Sequence, residues 1–428
     1  MNKTPPPASE TTAPPRRCGP RPLPLHIANA TSHWMSAAAS LPLFLMDGLH
    51  CHPDKRSAAA NLRAKMGRQN MMALQQAVAV RAQKRLVDMM TGIRAYQKHP
   101  YRRTVTPPAT ALQSGTTRLL GYAPETASGV ADRDKPVMIA VPSLINPSYV
   151  LDLMEDHSLM RYLATDGFAP YLVDWSHPGP LEQHFGLDDY IVQRLIPFIE
   201  EISRRHQRPV HLLGYCMGGN LALAAAQLMQ EKGVLQSLTL IATPWDFHVD
   251  KNVQLKSFLG QMEKSQKLFA ELGLVPMDIM QLFFFSLDPT LSDRKFRRFA
   301  QMNPEDPKTK IFVAIEDWAN DGPPLALNLA YDCLIQWYRD NLPVQGKWQV
   351  AGQIILPANL KLPCHVITPK RDRIVPPASA KAILADLPAV QHTEAARGHV
   401  NMIAGAGADT ILWPKITNYI KENFKKIL

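Results

Sequence analysis

The chain has 428 residues, enough for one large or two ordinary domains around a sizeable core. It carries +10 overall, but twelve Lys or Arg against the single acid Asp88 fall between Lys55 and Arg103, so the rest sums to about −1; with no aromatic-basic interleaving, nucleic acid is not an expected partner. Five scattered cysteines (Cys18, Cys51, Cys216, Cys333, Cys364) exclude a disulfide framework and a CxxC metal site, and no apolar run nears the roughly 18 residues of a membrane span, so a soluble, cytoplasmic protein without a transmembrane segment or signal peptide is expected.

The first 24 residues hold eight prolines and few large apolar side chains, which predicts a disordered tail over 1–30. From 31 to 113 the chain reads as a basic helical region, with Leu74, Val78, Leu86, Met90 and Ile93 recurring near helical spacing. That apolar stripe suits packing on the main domain or a partner subunit. With its positive charge it also suits an anionic or hydrophobic surface such as a lipid or polymer inclusion.

After Thr116 short apolar runs alternate with helical patterns, which is the texture of a parallel α/β sheet. Strands are predicted at Thr117 to Tyr122, Pro136 to Val141, Tyr171 to Trp175, Val210 to Leu213, Ser237 to Thr243, Cys364 to Thr368 and Val390 to Ala395, with a helix over Leu187 to His206. Between Val210 and Met229 the chain passes from strand to helix through Gly214-Tyr215-Cys216-Met217-Gly218-Gly219, a nucleophile elbow with Cys216 at its apex. The alternation stops between Trp245 and about Leu362, where helical, aromatic sequence predicts a cap over the carboxyl ends of the strands. The fold class expected is therefore α/β, an α/β-hydrolase fold with a doubly wound, mostly parallel sheet. Its core is split into 114–246 and 363–428 around a cap insertion at 247–362, and an N-terminal helical extension precedes it.

A thiol nucleophile needs a base and a carboxylate to orient that base, in the chain order nucleophile, acid, histidine. Asp372 follows the strand Cys364 to Thr368 and His399 follows Val390 to Ala395, so both fall on strand-end loops in that order. Asp246, after the preceding strand, is the competing orienter. Backbone amides would complete an oxyanion hole: Met217 at the elbow, and Leu144 or, alternatively, Ile145 after Val141. No metal site is expected.

The stretch Val141-Pro142-Ser143-Leu144-Ile145-Asn146-Pro147-Ser148-Tyr149-Val150-Leu151-Asp152-Leu153 resembles the corresponding segment of polyhydroxyalkanoate synthases. So do the elbow, Tyr171-Leu172-Val173-Asp174-Trp175, Glu316-Asp317-Trp318, Arg371-Asp372-Arg373-Ile374-Val375-Pro376-Pro377 and Gly398-His399-Val400. The similarity runs from about Thr116 to the end and is strongest to the shorter synthases that work with a second subunit. It implies an acyltransferase that polymerises 3-hydroxyacyl-CoA at a polyester granule surface, with Cys216 carrying the chain and CoA released. CoA is part of the substrate, so no separate cofactor is implied; a homodimer or a second synthase subunit is the implied partner. His399 would activate the thiol, and Asp372 would orient it and help deprotonate the 3-hydroxyl. The same three residues with water as acceptor would make an esterase, a thioesterase or a depolymerase, and an idle granule-binding protein would use only the basic helical region.

Overall fold

The computed structural model describes residues 17, 19–49, 51, 53–66, 71–122, 135–249 and 253–425. One sheet contains eight strands: β1 (Ala109–Ser114), β2 (Thr117–Gly121), β3 (Val137–Val141), β4 (Ala169–Asp174), β5 (Val210–Tyr215), β6 (Leu235–Ile241), β7 (Cys364–Pro369) and β8 (Val390–Ala395). Their order is β1-β2-β4-β3-β5-β6-β7-β8, with β2 antiparallel to β1 and β4 and every other pair parallel. A parallel sheet covered by helices on both faces must be apolar on both, and every residue of β3, β5 and β6 is buried. Alternation assigns the faces: Val137, Ile139, Val141 and Leu212 pack into one core, Met138, Ala140 and Leu213 into the other. This is the doubly wound sheet expected from the sequence.

Two boundaries differ from expectation. The sheet begins at Ala109, inside the stretch read as helical to 113, because β1 forms a hairpin with β2 through Gly115 at φ +58°. Short polar alternation around Leu112 carried too little apolar signal to mark an edge strand. Order also begins well before residue 31, since α1 spans Leu23–Ala39 and Arg17 and Arg21 are tied to the body of the protein. Most of the proline-rich tail, residues 1–16 and 18, lies outside the described residues.

The long helix α2 (Met71–Lys98) buries the expected Ile93 with Leu86 packed beside it, but its stripe is shifted from the expected one. Met89, Gly92, Ile93 and Tyr96 are its buried residues, whereas Met90 is 40 % exposed. The reason is Gly92, where an added Cβ would lie 1.9 Å from the Phe296 carbonyl oxygen. The tightest crossing forms at the smallest residue, which a count of apolar spacing overlooks. In the core, α3 (Ile196–His206) continues the predicted helix after a widened π turn at Ile191–Leu195, just ahead of Pro197, which has no N–H to give the preceding turn. The helix α4 (Met217–Met229) follows β5 directly.

Between β6 and β7 stand the helices α5 (Val253–Lys264), α6 (Met277–Leu287), α7 (Leu291–Phe299) and α8 (Pro307–Ala319), then a π-helical segment at Asp332–Arg339. The N-terminal helices dock on this insertion, and their residues Ala30, Met89, Ile93 and Tyr96 share a small core with Phe296, Phe299 and Val313. Ion pairs surround that core: Arg17 to Asp317 at 2.7 Å, Arg21 to Asp278 at 3.0 Å and Arg85 to Asp293 at 2.7 Å.

Candidate active site

The elbow between β5 and α4 holds Cys216 at φ 56°, ψ −132°, a conformation that only dense surroundings maintain in a residue with a side chain. Those surroundings are backbone. Cys216 N–H donates to the Ile241 carbonyl at 2.8 Å, and the Cys216 carbonyl accepts from Gly219 N–H at 2.9 Å. A Cβ on Gly214 would come within 2.4 Å of the Gly219 Cα, and one on Gly218 within 2.1 Å of the Val141 carbonyl oxygen. Both glycines are therefore needed for close approach, as the motif suggested. Asn220 anchors the first turn of α4 by donating to the Pro244 carbonyl at 2.8 Å. The half-buried thiol stands at the N-terminus of this thirteen-residue helix, where the helix dipole favours negative charge.

His399 and Asp372 converge on this point from the ends of β8 and β7. His399 Nδ1 and Asp372 Oδ2 are 2.7 Å apart, and the Cys216 sulfur is near enough to act on the ring electrostatically. Burial disfavours a charged His399, but the Asp372 carboxylate and the Cys216 sulfur outweigh it and push the His399 pKa well above its ordinary value. The second carboxylate oxygen of Asp372 accepts from Ile374 N–H at 2.8 Å and Val375 N–H at 3.1 Å, and the side chain is only 1 % exposed. Both oxygens are thus occupied. Asp246 is engaged elsewhere, with Oδ1 accepting from His248 N–H and from Asn341 Nδ2, so it does not serve His399.

Met217 begins α4, and Leu144 lies in the loop after β3; among the described residues neither backbone N–H has a protein acceptor. Ile145 N–H, the alternative donor, is bonded to Ser143 Oγ at 3.2 Å. Gly218 brings this loop and the elbow together, since it abuts the carbonyls of Val141 and Pro142. The loop is itself tied down by Trp175 Nε1, which donates to the Pro142 carbonyl at 3.0 Å.

Two aromatic neighbours went unread in the sequence. Tyr215 stacks on the His399 ring with centroids 5.4 Å apart, and adjacency to the nucleophile was its one available signal. Tyr338, from the insertion, is half-buried; desolvation, then the nearby Cys216 sulfur, push its phenol above the ordinary range. It packs edge-on against Phe247 and Phe283, at 4.8 and 4.9 Å. Beside it a cavity of about 200 Å³ is lined by Asp246, Phe247, Leu287, Tyr338, Arg373 and Ile374. Asp288, at the end of α6, reaches the acid loop through Arg373 at 3.2 Å. Among the described residues no group of three or more His, Cys, Asp or Glu side chains could hold a metal ion, and no helix is long and apolar enough to cross a membrane.

A strand-elbow-helix nucleophile with acid and histidine on the next strand ends defines a class, and residues 147–408 match the model of the alpha/beta hydrolase family. The chain belongs to that family. Within it, the resemblance read from the motifs is borne out by curated relatives. The Poly(3-hydroxyalkanoate) polymerase subunit PhaC of Haloarcula marismortui is 28 % identical over 326 residues, covering 74 % of this chain and 68 % of that one. The subunit of the same name from Thiocystis violacea is 28 % identical over 71 % of this chain and 86 % of its own. That of Cupriavidus necator is 25 % identical, over 66 % and 48 %.

Proposed function

We propose that this chain is an acyltransferase that polymerises 3-hydroxyacyl-CoA into polyhydroxyalkanoate through a thioester on Cys216. The observation that carries the reading is a cysteine, where a hydrolase would ordinarily use serine, at the elbow of a chain whose relatives are named poly(3-hydroxyalkanoate) polymerase subunits. Exchange of one thioester for another costs little free energy, so the acyl group stays activated for transfer; a serine ester would lose that activation.

In the first step His399 takes the proton of Cys216, and the sulfur attacks the thioester carbonyl of the substrate. The negative oxygen of the tetrahedral intermediate is met by the amides of Met217 and Leu144, each such donor being worth roughly 3 kcal/mol. The new S–C bond forms, the C–S bond to CoA breaks, and CoA leaves with the proton held by His399. The 3-hydroxyl of an incoming 3-hydroxyacyl-CoA then gives its proton to His399 and attacks the acyl thioester on Cys216. A C–O bond forms, the C–S bond to Cys216 breaks, and the freed sulfur takes the proton back from His399. This leaves on CoA a chain one unit longer, which Cys216 takes up again as in the first step. Asp372 acts here by orienting His399 and favouring its charged form. Its two oxygens already hold Nδ1 and two backbone amides, which supports His399, not Asp372, as the base that takes the hydroxyl proton.

The polymer surface and a second subunit belong to the same proposal. Exposed apolar side chains gather on the N-terminal helices at Met35, Leu43, Met46, Met72, Val80 and Val87, beside the surplus of Lys and Arg. Exposed apolar area and positive charge in one region of the chain are what attachment to an anionic, apolar inclusion requires.

Purified protein given 3-hydroxybutyryl-CoA should release CoA and deposit insoluble polymer, and Cys216→Ala should do neither. Soluble 3-hydroxy acid as the sole product would make the enzyme a hydrolase. Undiminished turnover by Cys216→Ala would end the covalent mechanism.

A further inference from the structure

The motif Glu316-Asp317-Trp318 lies outside the catalytic group, yet its side chains reach two different parts of the molecule. Asp317 Oδ1 accepts from Arg17 Nε at 2.7 Å and from the Tyr96 hydroxyl at 2.8 Å, both in the N-terminal layer. One residue further, Trp318 Nε1 donates to the Pro147 carbonyl at 2.8 Å, in the loop that carries Leu144. The pattern then continues past the end of α8. The Ala319 carbonyl accepts from Asn146 Nδ2 at 3.5 Å and from Gln281 Nε2 at 2.6 Å. Asn320 Oδ1 accepts from Arg21 N–H at 2.8 Å, and Asp321 accepts from the Tyr149 hydroxyl at 3.0 Å.

Residues 317 and 320 stand three apart, so they share one side of the helix end and face the N-terminal segment. Residues 318, 319 and 321 face the loop at 145–149. Gly322 closes the contact, since an added Cβ there would lie 3.1 Å from the Ile145 carbonyl oxygen. The N-terminal side is firmly held: the Arg17 side chain is 4 % exposed, and its guanidinium also donates to the carbonyls of His99 and Tyr101. The loop side matters because an amide donor stabilises an oxyanion only at hydrogen-bonding distance from where that oxygen forms.

We infer that residues 317–321 are a positioning element for the oxyanion loop, and that Arg17 and Arg21 hold this element in place. Trp318 and Asp317 are positioning residues: they touch no reacting atom and act through the backbone of 144–147. The N-terminal layer thereby contributes to the chemical step itself, besides any role in attachment. The inference rests on the proposed use of Cys216 as an acyl carrier.

Two reagents separate positioning from general damage. Acetylation of Cys216 by p-nitrophenyl acetate passes through an oxyanion: the S–C bond forms, the C–O bond breaks and nitrophenolate leaves. Alkylation by iodoacetamide displaces iodide at a saturated carbon and forms no oxyanion. Both are followed on the Cys216 peptide of the full-length protein by mass spectrometry, which sets aside the other cysteines. Trp318→Phe leaves an aromatic ring in place but replaces the indole and its N–H, and should slow acetylation about tenfold while alkylation stays within about twofold of wild type. Arg17→Ala, which approaches from the other side, should show the same selective loss to a smaller degree and decides the matter if Trp318→Phe does not fold. Acetylation unchanged in both variants, or acetylation and alkylation falling together, would overturn the inference while leaving the proposed function standing. A wild-type chain that iodoacetamide alkylates at Cys216 but p-nitrophenyl acetate never acetylates there would remove the acyl-carrier reading and this inference with it.

Discussion

The elbow and the N-terminal layer are held by different physics. At the elbow the fit is backbone on backbone: Gly218 lies against Val141 and Pro142, Gly214 against Gly219, and the neighbouring strands are buried throughout. The N-terminal layer instead meets the insertion through a small core, one close helix crossing at Gly92, and a rim of arginine-carboxylate pairs. Backbone packing of the first kind has no graded alternatives, because a main-chain atom has no other rotamer to adopt. Side-chain clamps of the second kind can loosen one at a time.

Asp372→Asn tests the rigid side most severely. The asparagine can keep hydrogen bonds but loses the charge that favours protonated His399, and CoA release should fall about a thousandfold. The His399 titration, followed by NMR, should move to lower pH. The folded pKa of His399 lies above its unfolded value of about 6.5, so the coupling stabilises fully below that pH and is lost as pH rises through the folded pKa. The stability advantage of wild type over Asp372→Asn in denaturant titrations should therefore shrink on the alkaline side. An advantage that grew with pH would contradict the assignment.

Gly218→Ala probes the same region through packing. The added methyl would meet a main-chain carbonyl that cannot rotate away, so a loss of roughly 3 kcal/mol is expected, visible as a lowered melting temperature. Gly92→Ala places its methyl 1.9 Å from the Phe296 carbonyl oxygen, but whole helices can shift there, and a smaller cost of about 2 kcal/mol should appear as earlier proteolysis near α2. Alkylation of Cys216 by iodoacetamide should be unaffected by Gly92→Ala and impaired by Gly218→Ala. Equal impairment in both would erase the distinction between the two regions.

Much of the site was legible from local chemistry. The glycines around Cys216 announce a turn of forced geometry, and chain order alone puts Asp372 and His399 on successive strand ends. The oxyanion donors were legible only as a loop, because the choice between Leu144 and Ile145 depends on where Ser143 Oγ points. Asp372 was the expected orienter and Asp246 its competitor after the preceding strand, and the structure separates them by their partners, His399 for the one and Asn341 for the other. Tyr338 and Trp318 gave no signal of their place, since an aromatic residue in a helical insertion packs somewhere in any fold.

By itself the sequence determined the alternation of strands and helices in the core from Thr117 onward, the sharp turn at Cys216 and the identity of the three groups that meet there. These follow from short-range rules: apolar periodicity, the steric needs of glycine, and the chemistry of a thiol, an imidazole and a carboxylate. Tertiary structure alone decided which face of α2 is buried, where order begins near the N-terminus, and which side chains hold the oxyanion loop. Those outcomes depend on pairs such as Gly92 with Phe296 and Trp318 with Pro147, separated by more than 150 residues, and no local pattern encodes which distant surface a residue will meet.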